Sequence, residues 1–325
     1  MFYIENNSTD PAYNLALEQY AFDTLSLRGD VCMLWQNRDA VIIGLHQNAM
    51  EETNQGYLER HGIPVVRRLS GGGAVFHDLG NLNFTFITRA HDIAELDFTA
   101  SCKPILDALI SMGLPVEFLG RNDMVIGGRK FSGNARYYRD GRLMHHGTLM
   151  FDVDIDKMSD ALRVPDDKLV SKSIKSVHSR VVNLREYLDM TMEGFLLHIR
   201  DSIARDLPVY PLGEQDILDI GEIKRNRYDT WDWNYGKSPG FSIVKRRRLD
   251  NFGTIRLCMD AENGVITAFY TDGDYFGAKP CDDISGALCG VRLECGALIR
   301  ALDGIVLDEY YEGLSVDDLV RLILD

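Results

Sequence analysis

Residues 67–78 read Arg67-Arg68-Leu69-Ser70-Gly71-Gly72-Gly73-Ala74-Val75-Phe76-His77-Asp78. Three consecutive glycines cost backbone entropy, so a chain keeps them where it must bend sharply or where its backbone must touch something. The run follows a short apolar, strand-like segment and is headed by two arginines. Such a loop can wrap an anion, with backbone N–H groups and a guanidinium both aimed at it; a flexible surface turn is the plainer alternative. Neither standard phosphate motif fits. Gly236-Lys237-Ser238 has the tail of a Walker A loop, but Trp231 stands where its first glycine belongs, and Phe76 replaces the third glycine of a dinucleotide fingerprint.

Three further segments extend the reading. In Gly120–Ala135, GRNDMVIGGRKFSGNA, polar Asn122 and Asp123 precede a short apolar strand, Gly127-Gly128 makes a hairpin turn, and Lys130 opens the return strand. Alternation puts Lys130 and Ser132 on one face and Arg129 and Phe131 on the other. A lysine on an inward face is costly unless it meets an anion; a solvent-facing lysine is the alternative. In His145-His146-Gly147-Thr148 the paired histidines point to opposite faces of a strand, so they cannot chelate one metal together. Over 163–185 six basic residues stand against two acids, so Lys168–Leu184 reads either as a solvated loop or as a lid closing over a polyanion.

The remaining pattern gives an α+β layout with mixed or antiparallel sheets. A first helix starts at Pro11, capped by Thr9 or Asp10. Strands are expected at Val31–Trp35, Ala40–Gly44, Val65–Leu69, Leu82–Thr88, Val116–Leu119, Met124–Ile126, Lys130–Ser132, Leu143–Val153, Thr254–Met259 and Val265–Tyr270. In the fourth, Leu82, Phe84 and Phe86 alternate with Asn83, Thr85 and Ile87, the pattern of a half-buried strand. Helices are expected at Pro104–Met112, Arg185–Arg205, Ile217–Arg227, Ile284–Leu293 and Val316–Leu324, the last with a Ser315/Asp318 capping box. Trp231–Gly240 reads as a loop. The 325 residues suggest two domains, 1–244 and a small α+β domain over 245–325.

Composition narrows the function. Hydrophobic residues at 45% and charged residues at 26% are the balance of a folded globular chain. A formal net charge of −14 argues against nucleic acid as partner. No apolar run reaches the roughly 18–20 residues needed to span a bilayer, and the N-terminal residues lack a signal-peptide pattern, so a cytoplasmic location is expected. The six cysteines are scattered without a CxxC pair.

Taken together, RRLSGGGAVFHD, the Gly120–Ala135 hairpin, HHGT at 145–148, Lys172–Leu184 and WDWNYGKSP at 231–239 resemble the lipoate–protein ligase A family, in the family's order and over nearly the whole chain. The resemblance implies a biotin/lipoate-ligase-like catalytic domain with a small accessory domain. It implies a two-step reaction: lipoate and Mg-ATP give lipoyl-AMP, and the lipoyl group then passes to a lysine of a lipoyl domain or of the glycine-cleavage carrier protein. By the same resemblance, Arg68, Gly73, Ala74, Val75 and Phe76 contact the nucleotide, Lys130 is the catalytic lysine touching both lipoate and phosphate, and Asn122 and Asp123 lie near phosphate and Mg²⁺. His178 stands where many relatives have arginine. A lipoyl or octanoyl transferase of the same superfamily, working without ATP, is the alternative; a thioester mechanism needs an activated thiolate, and no cysteine lies between Cys102 and Cys258.

Overall fold

The computed structural model describes residues 1–90, 98–120, 122–162, 180–235, 243–250, 252–262 and 264–324. Its strands in chain order are β1 (Phe2–Ile4), β2 (Val31–Trp35), β3 (Ala40–Ile43), β4 (Val65–Arg67), β5 (Val75–His77), β6 (Asn81–Arg89), β7 (Val116–Leu119), β8 (Asp123–Ile126), β9 (Arg129–Arg139), β10 (Arg142–Met150), β11 (Val209–Tyr210), β12 (Ile243–Leu249), β13 (Gly253–Glu262) and β14 (Val265–Gly273). They form one eight-stranded sheet, β11-β1-β2-β6-β10-β9-β8-β7, and two three-stranded sheets, β4-β3-β5 and β12-β13-β14. In the large sheet β1 runs parallel to β2 and β11, while β2, β6, β10, β9, β8 and β7 pair antiparallel. The class is α+β with a mixed sheet, as expected. By contacts the chain divides into two compact units: Met1–Ile42, Ala49–Arg67 and Val75–Tyr235 form the first, and Ile43–Asn48, Arg68–Ala74 and Gly236–Asp325 the second.

In the first unit, the apolar residues of β2, β6 and β10 (Cys32, Leu34, Leu82, Phe84, Phe86 and Leu149) join a core completed by the helices Phe98–Ser111 and Met192–Ala204. The first of these runs through Pro104, six residues ahead of the expected start. Packing of Cys102, Ile105, Ala108 and Leu109 outweighs the backbone hydrogen bond a proline forfeits. The helix Pro11–Asp23 is capped by Asp10, whose carboxylate accepts from the Ala12 N–H at 3.1 Å. It is buried nearly all round, Asn14 and Glu18 included.

Four expectations are corrected here. β6 is not half-buried: every residue from Asn81 to Ile87 is buried, because the polar face is covered as well. Trp231–Asn234 is a short helix rather than a loop, started by Thr230, whose hydroxyl accepts from the Trp233 N–H at 3.3 Å. The expected helix Ile284–Leu293 is Asp282–Leu288 followed by a separate helix, Cys295–Ala301, because Gly290 takes φ +84° and breaks the run. The Arg185–Arg205 helix also begins late, at Met192, where the Thr191 hydroxyl accepts from the Gly194 N–H at 3.1 Å.

The second unit packs β12-β13-β14 against Asp282–Leu288, Cys295–Ala301 and Val316–Leu324, around Ile255, Leu257, Met259, Leu298 and Ile323. Half of the expected capping box of the last helix is present: the Asp318 N–H donates to Ser315 Oγ at 3.1 Å, and Asp318 Oδ2 accepts from the Ser315 hydroxyl at 2.5 Å rather than from its backbone N–H.

The phenyl rings of Phe151 and Phe195 stack at 4.7 Å in the core of the first unit, both fully buried. Phe195→Ala is expected to cost about 3–5 kcal/mol by denaturant unfolding. Leu197→Ala, on the exposed face of the same helix, is expected to stay within about 0.5 kcal/mol; equal effects would misplace the core.

Candidate functional site

The hairpin β8–β9 turns at Gly127 and Gly128, both left-handed with φ +57° and +76°, which is the two-residue turn that matches strand twist. Its register is not uniform. Asp123 pairs with Gly133 and Met124 with Ser132, but Val125 pairs with Lys130, leaving Phe131 as the extra residue of a β-bulge. The expectation that Lys130 and Ser132 share a face is therefore overturned. The bulge puts Lys130 on the face of Val125, Asp123 and Gly133, while Ser132 and Phe131 are fully buried. Lys130 does meet an anion: its Nζ lies 2.7 Å from Asp123 Oδ1, both side chains being about two-fifths exposed (40% and 37%). Gly133 leaves room for the lysine stem, since a Cβ there would lie 3.2 Å from Lys130 Nζ.

The lysine backbone is held as well. Its N–H donates to the Arg180 carbonyl at 2.8 Å, and its carbonyl accepts from the Val182 N–H at 2.9 Å. Asn122 is spent on the hairpin: its Nδ2 donates to the Asn134 carbonyl at 2.7 Å, and the Asn122 carbonyl accepts from Asn134 N and Nδ2 at 2.9 and 3.1 Å.

From Asp123 a single row of residues crosses the sheet. Asp123 pairs with Gly133; the Gly133 N–H donates to Thr148 Oγ1 at 3.2 Å; Thr148 pairs with Asn83, and Asn83 with Trp35. Directly opposed residues point to the same face, so this row is the polar face of β6 that sequence alternation assigned to solvent. Asn83 is 2% exposed; its Oδ1 accepts from Asn81 Nδ2 at 3.0 Å, and its Nδ2 has no hydrogen-bond partner among the described residues. A buried amide donor left without an acceptor is costly in a native fold.

Alongside the row runs a buried chain. Trp35 Nε1 donates to Thr85 Oγ1 at 3.0 Å, Thr85 donates to Glu18 Oε1 at 2.7 Å, and His146 Nδ1 lies 2.8 Å from the same oxygen. His145 points to the other face, as expected of strand neighbours, and among the described residues no cluster that could hold a metal ion is present. Its Nε2 lies 3.2 Å from Asn134 Oδ1 and 3.6 Å from Cys102 Sγ. This Cys–His–Asn grouping has the composition of a nucleophilic triad, but Cys102 is fully buried in the core behind the sheet. Burial pushes the His145 imidazole down to about 3, with His146 nearby adding to the effect.

In the second unit, the glycine loop is an ordered structure rather than a flexible turn. Arg68 is buried and donates from Nε to Ser70 Oγ at 3.0 Å and from Nη2 to the carbonyls of Gly71 and Gly73 at 2.6 and 2.9 Å. The Gly72 N–H donates to the Tyr275 carbonyl at 3.0 Å, with φ +92°. A Cβ at Gly71 would come within 2.5 Å of the Tyr275 carbonyl oxygen, so a larger residue is excluded there. Gly73 is exposed, and Ala74 half-buried. Val75 and Phe76 belong to β5 in the first unit, paired with Ile42 and Val41. Arg67, also in the first unit, is a scaffold residue: its N–H donates to Asn234 Oδ1 at 3.0 Å, and its guanidinium donates to the carbonyls of Trp233 and Asn234.

Of the expected site residues, Asn122, Asp123 and Lys130 share one hairpin, while Arg68 and Gly73 hold one loop. The cationic lid, with His178, and the Gly236–Gly240 linker lie outside the described residues, apart from the lid's end at Arg180–Leu184. Sequence reading missed Glu18, Trp35, Asn83, Gly133 and Thr148. The polar positions of β6 were the available signal, and they were assigned to solvent.

The family described as Lipoyl protein ligase A/B catalytic domain matches residues 10–204, and that described as Bacterial lipoate protein ligase C-terminus matches residues 238–323. The chain is 42% identical over 331 residues to lipoate-protein ligase LplJ of Bacillus subtilis, covering 99% of this chain and 100% of that one. Among solved structures, Plasmodium falciparum LipL1 in complex with lipoate superposes with a TM-score of 0.82 at 22% identity, covering 99% of both chains. A lipoate-protein ligase A bound with ATP gives 0.61 at 25% identity, covering 70% of this chain and 94% of that one.

The buried His145 gives a stability prediction. Its folded pKa lies far below the ordinary 6.5, so below about pH 6.5 the unfolded chain takes up a proton that the folded chain refuses. Its contribution to stability is complete above pH 6.5 and is drawn down as pH falls toward 3. Melting temperatures measured from neutral to mildly acidic pH should fall, and His145→Gln should flatten the slope; an unchanged slope would place the acid-sensitive group elsewhere.

Proposed function

Because the chain belongs to the lipoyl protein ligase A/B family, we propose that it is an ATP-dependent lipoate–protein ligase. It activates lipoate as lipoyl-AMP and passes the lipoyl group to a lysine of a carrier, a lipoyl domain or the glycine-cleavage carrier protein. The observation that carries this reading is the row from Trp35 to Asp123, with the Lys130 ammonium at one end. Trp35 and Gly133, beside which the Lys130 ammonium lies, are three strand spacings of about 4.8 Å apart across the row, roughly 14 Å, which suits an extended medium-chain acid with a ring at its far end. Trp35 closes the apolar end, Gly133 and Thr148 leave the floor low, and the unpaired Asn83 amide offers a donor to the bound acid.

In the first step a carboxylate oxygen of lipoate attacks the α-phosphorus of ATP. The P–O bond to the β-phosphate breaks, and pyrophosphate leaves with the electron pair. Two anions must approach each other, and the Lys130 ammonium, exchanging Asp123 for the two incoming oxyanions, reduces their repulsion and stabilises the charge of the transition state. In the second step the carrier's neutral lysine amine attacks the acyl carbon, AMP departs with the bonding pair, and the amine loses a proton to give the amide. Arg68, Gly73, Ala74, Val75 and Phe76 are assigned to the nucleotide. The carbonyl bonds of Arg68 support a role in holding the loop open to an anion, and its charge adds to the attraction.

Mg²⁺ is assigned as the counter-ion of ATP, bound chiefly through the phosphates. Asp123 is the carboxylate of the hairpin that suits it, and the ion would neutralise the leaving pyrophosphate. Asn122 fits better as the clamp of the hairpin than as a ligand. A transferase acting through a thioester finds no support, since Cys102 is buried in the core.

Lys130→Ala is expected to melt as the parent does while adenylate formation, followed by pyrophosphate release, falls about 10²–10³-fold, mainly in kcat. Lys130→Arg should not restore it, because a planar fork replaces a compact ammonium poorly between two oxyanions. Activity retained in Lys130→Ala would overturn the assignment.

Asn83→Ala tests the acid-binding row separately. Losing one donor to the bound acid should raise KM for lipoate about tenfold with KM for ATP unchanged. A selective rise in KM for ATP would move the acyl chain off this row.

A further inference from the structure

Strand β12 carries Lys245-Arg246-Arg247-Arg248 inside a chain of net charge −14. It is an edge strand, pairing with β13 from Ile243–Met259 to Leu249–Gly253, so its outer backbone groups face away from the sheet. Alternation separates its side chains. Ile243 and Leu249 pack against the core of the second unit, and Lys245 on the same face donates to the Ile323 carbonyl at 2.7 Å, at the end of Val316–Leu324. Val244, Arg246 and Arg248 occupy the other face and are exposed; Arg247, also exposed, alternates onto the face of Lys245.

The register makes this arrangement costly. Arg246 lies directly opposite Arg256, and Arg256 directly opposite Asp272. Both carboxylate oxygens of Asp272 accept from Arg256 Nε at 3.0 Å, so the acid of this cross-strand row is spent on Arg256. Like charges directly opposed destabilise a sheet, and Arg246, Arg247 and Arg248 form no ion pair among the described residues. Charged side chains on an edge strand protect it from strand addition. Edge protection does not require two exposed arginines on one face, one of them opposed to a third across the sheet.

We propose that the Val244–Arg246–Arg248 face of β12 is a docking surface for an acidic patch on the carrier protein that accepts the acyl group. The proposal rests on the ligase reading for the identity of its partner. Arg246 and Arg248 are two residues apart on an extended strand, about 6.7 Å, and each guanidinium can grip a carboxylate bidentately. Val244, more than half exposed at 56%, supplies an apolar contact between them and the partner. Charge complementarity selects an acidic protein over nucleic acid: a duplex needs a broad basic face to displace its counter-ions, whereas here the basic run is confined to one strand of an acidic chain.

The test uses the full chain with Arg246→Glu/Arg248→Glu and the charge-preserving Arg246→Lys/Arg248→Lys, each checked by thermal melting. Lys245 is left intact because it bonds the last helix. Adenylate formation from lipoate and ATP is measured by pyrophosphate release, transfer to an apo lipoyl domain against its concentration and salt, and binding of that domain by calorimetry. The proposal expects adenylation within twofold of the parent in both variants. It expects transfer kcat/KM to fall at least tenfold in the glutamate pair through a higher KM for the domain, with a flatter salt dependence and weakened binding, and the lysine pair to stay near the parent. A glutamate pair with parental KM, binding and salt slope overturns it. So does a gel shift of duplex DNA or single-stranded RNA by the parent that the glutamate pair loses while transfer is unaffected. If the parent makes no adenylate, the ligase reading fails on its own; loss of domain binding in the glutamate pair would still support the docking surface, and retained binding would still refute it.

Discussion

A single inserted residue governs the geometry of the hairpin. Were β8 and β9 paired without interruption, Lys130 would follow Ser132 onto the face packed against the core, where an ammonium is expensive to bury. With Phe131 accommodated as the extra residue, the phenyl ring fills the core and the lysine turns to Asp123 and Gly133. Bulges re-aim side chains in this way at the cost of local pairing. Here the cost is offset by the reciprocal Asn122–Asn134 bonds on one side and by the backbone bonds of Lys130 to Arg180 and Val182 on the other. The lysine is thus fixed at its backbone and free to exchange partners at its tip.

Much of the fold was legible because its signals are local. Asp10-Pro11, Gly127-Gly128 and Ser315/Asp318 announce a helix start, a hairpin and a second helix start, and the structure has all three. What escaped the sequence is non-local. Alternation identified the polar face of β6 correctly, but it cannot tell whether that face meets water or the helix Pro11–Asp23, which brings Glu18 to within 2.7 Å of Thr85. The bulge at Phe131 escaped for a related reason: period-two reasoning assumes an unbroken ladder, and nothing in Arg129–Gly133 marks the break. The glycine loop was recognised as special, yet half of what makes it so, the close approach to the Tyr275 carbonyl, comes from a residue some two hundred positions away.

Lys130 and the adjacent Arg67 and Arg68 share one feature: each already has an acceptor within the chain. Lys130 has the Asp123 carboxylate, Arg68 has loop carbonyls, and Arg67 has the carbonyls of Trp233 and Asn234. For the half-exposed Lys130–Asp123 pair, Coulomb attraction is screened and the net strength modest. On the proposed reading, a carboxylate or phosphate arriving at Lys130 would replace the Asp123 oxyanion by another at a nearly constant number of bonds. Such an exchange would keep ground-state binding weak relative to the gain when charge accumulates on the reacting oxygens, which is the condition for an electrostatic group to raise kcat rather than merely lower KM. Arg67 is different, since its acceptors are buried backbone carbonyls of a short helix that would be left unsatisfied by any exchange. That contrast separates two adjacent arginines which composition treats as equivalent: Arg67 is committed to holding Trp231–Asn234 in place, and Arg68 keeps the glycine loop in one shape, so that an anion bound there as proposed would meet groups already ordered.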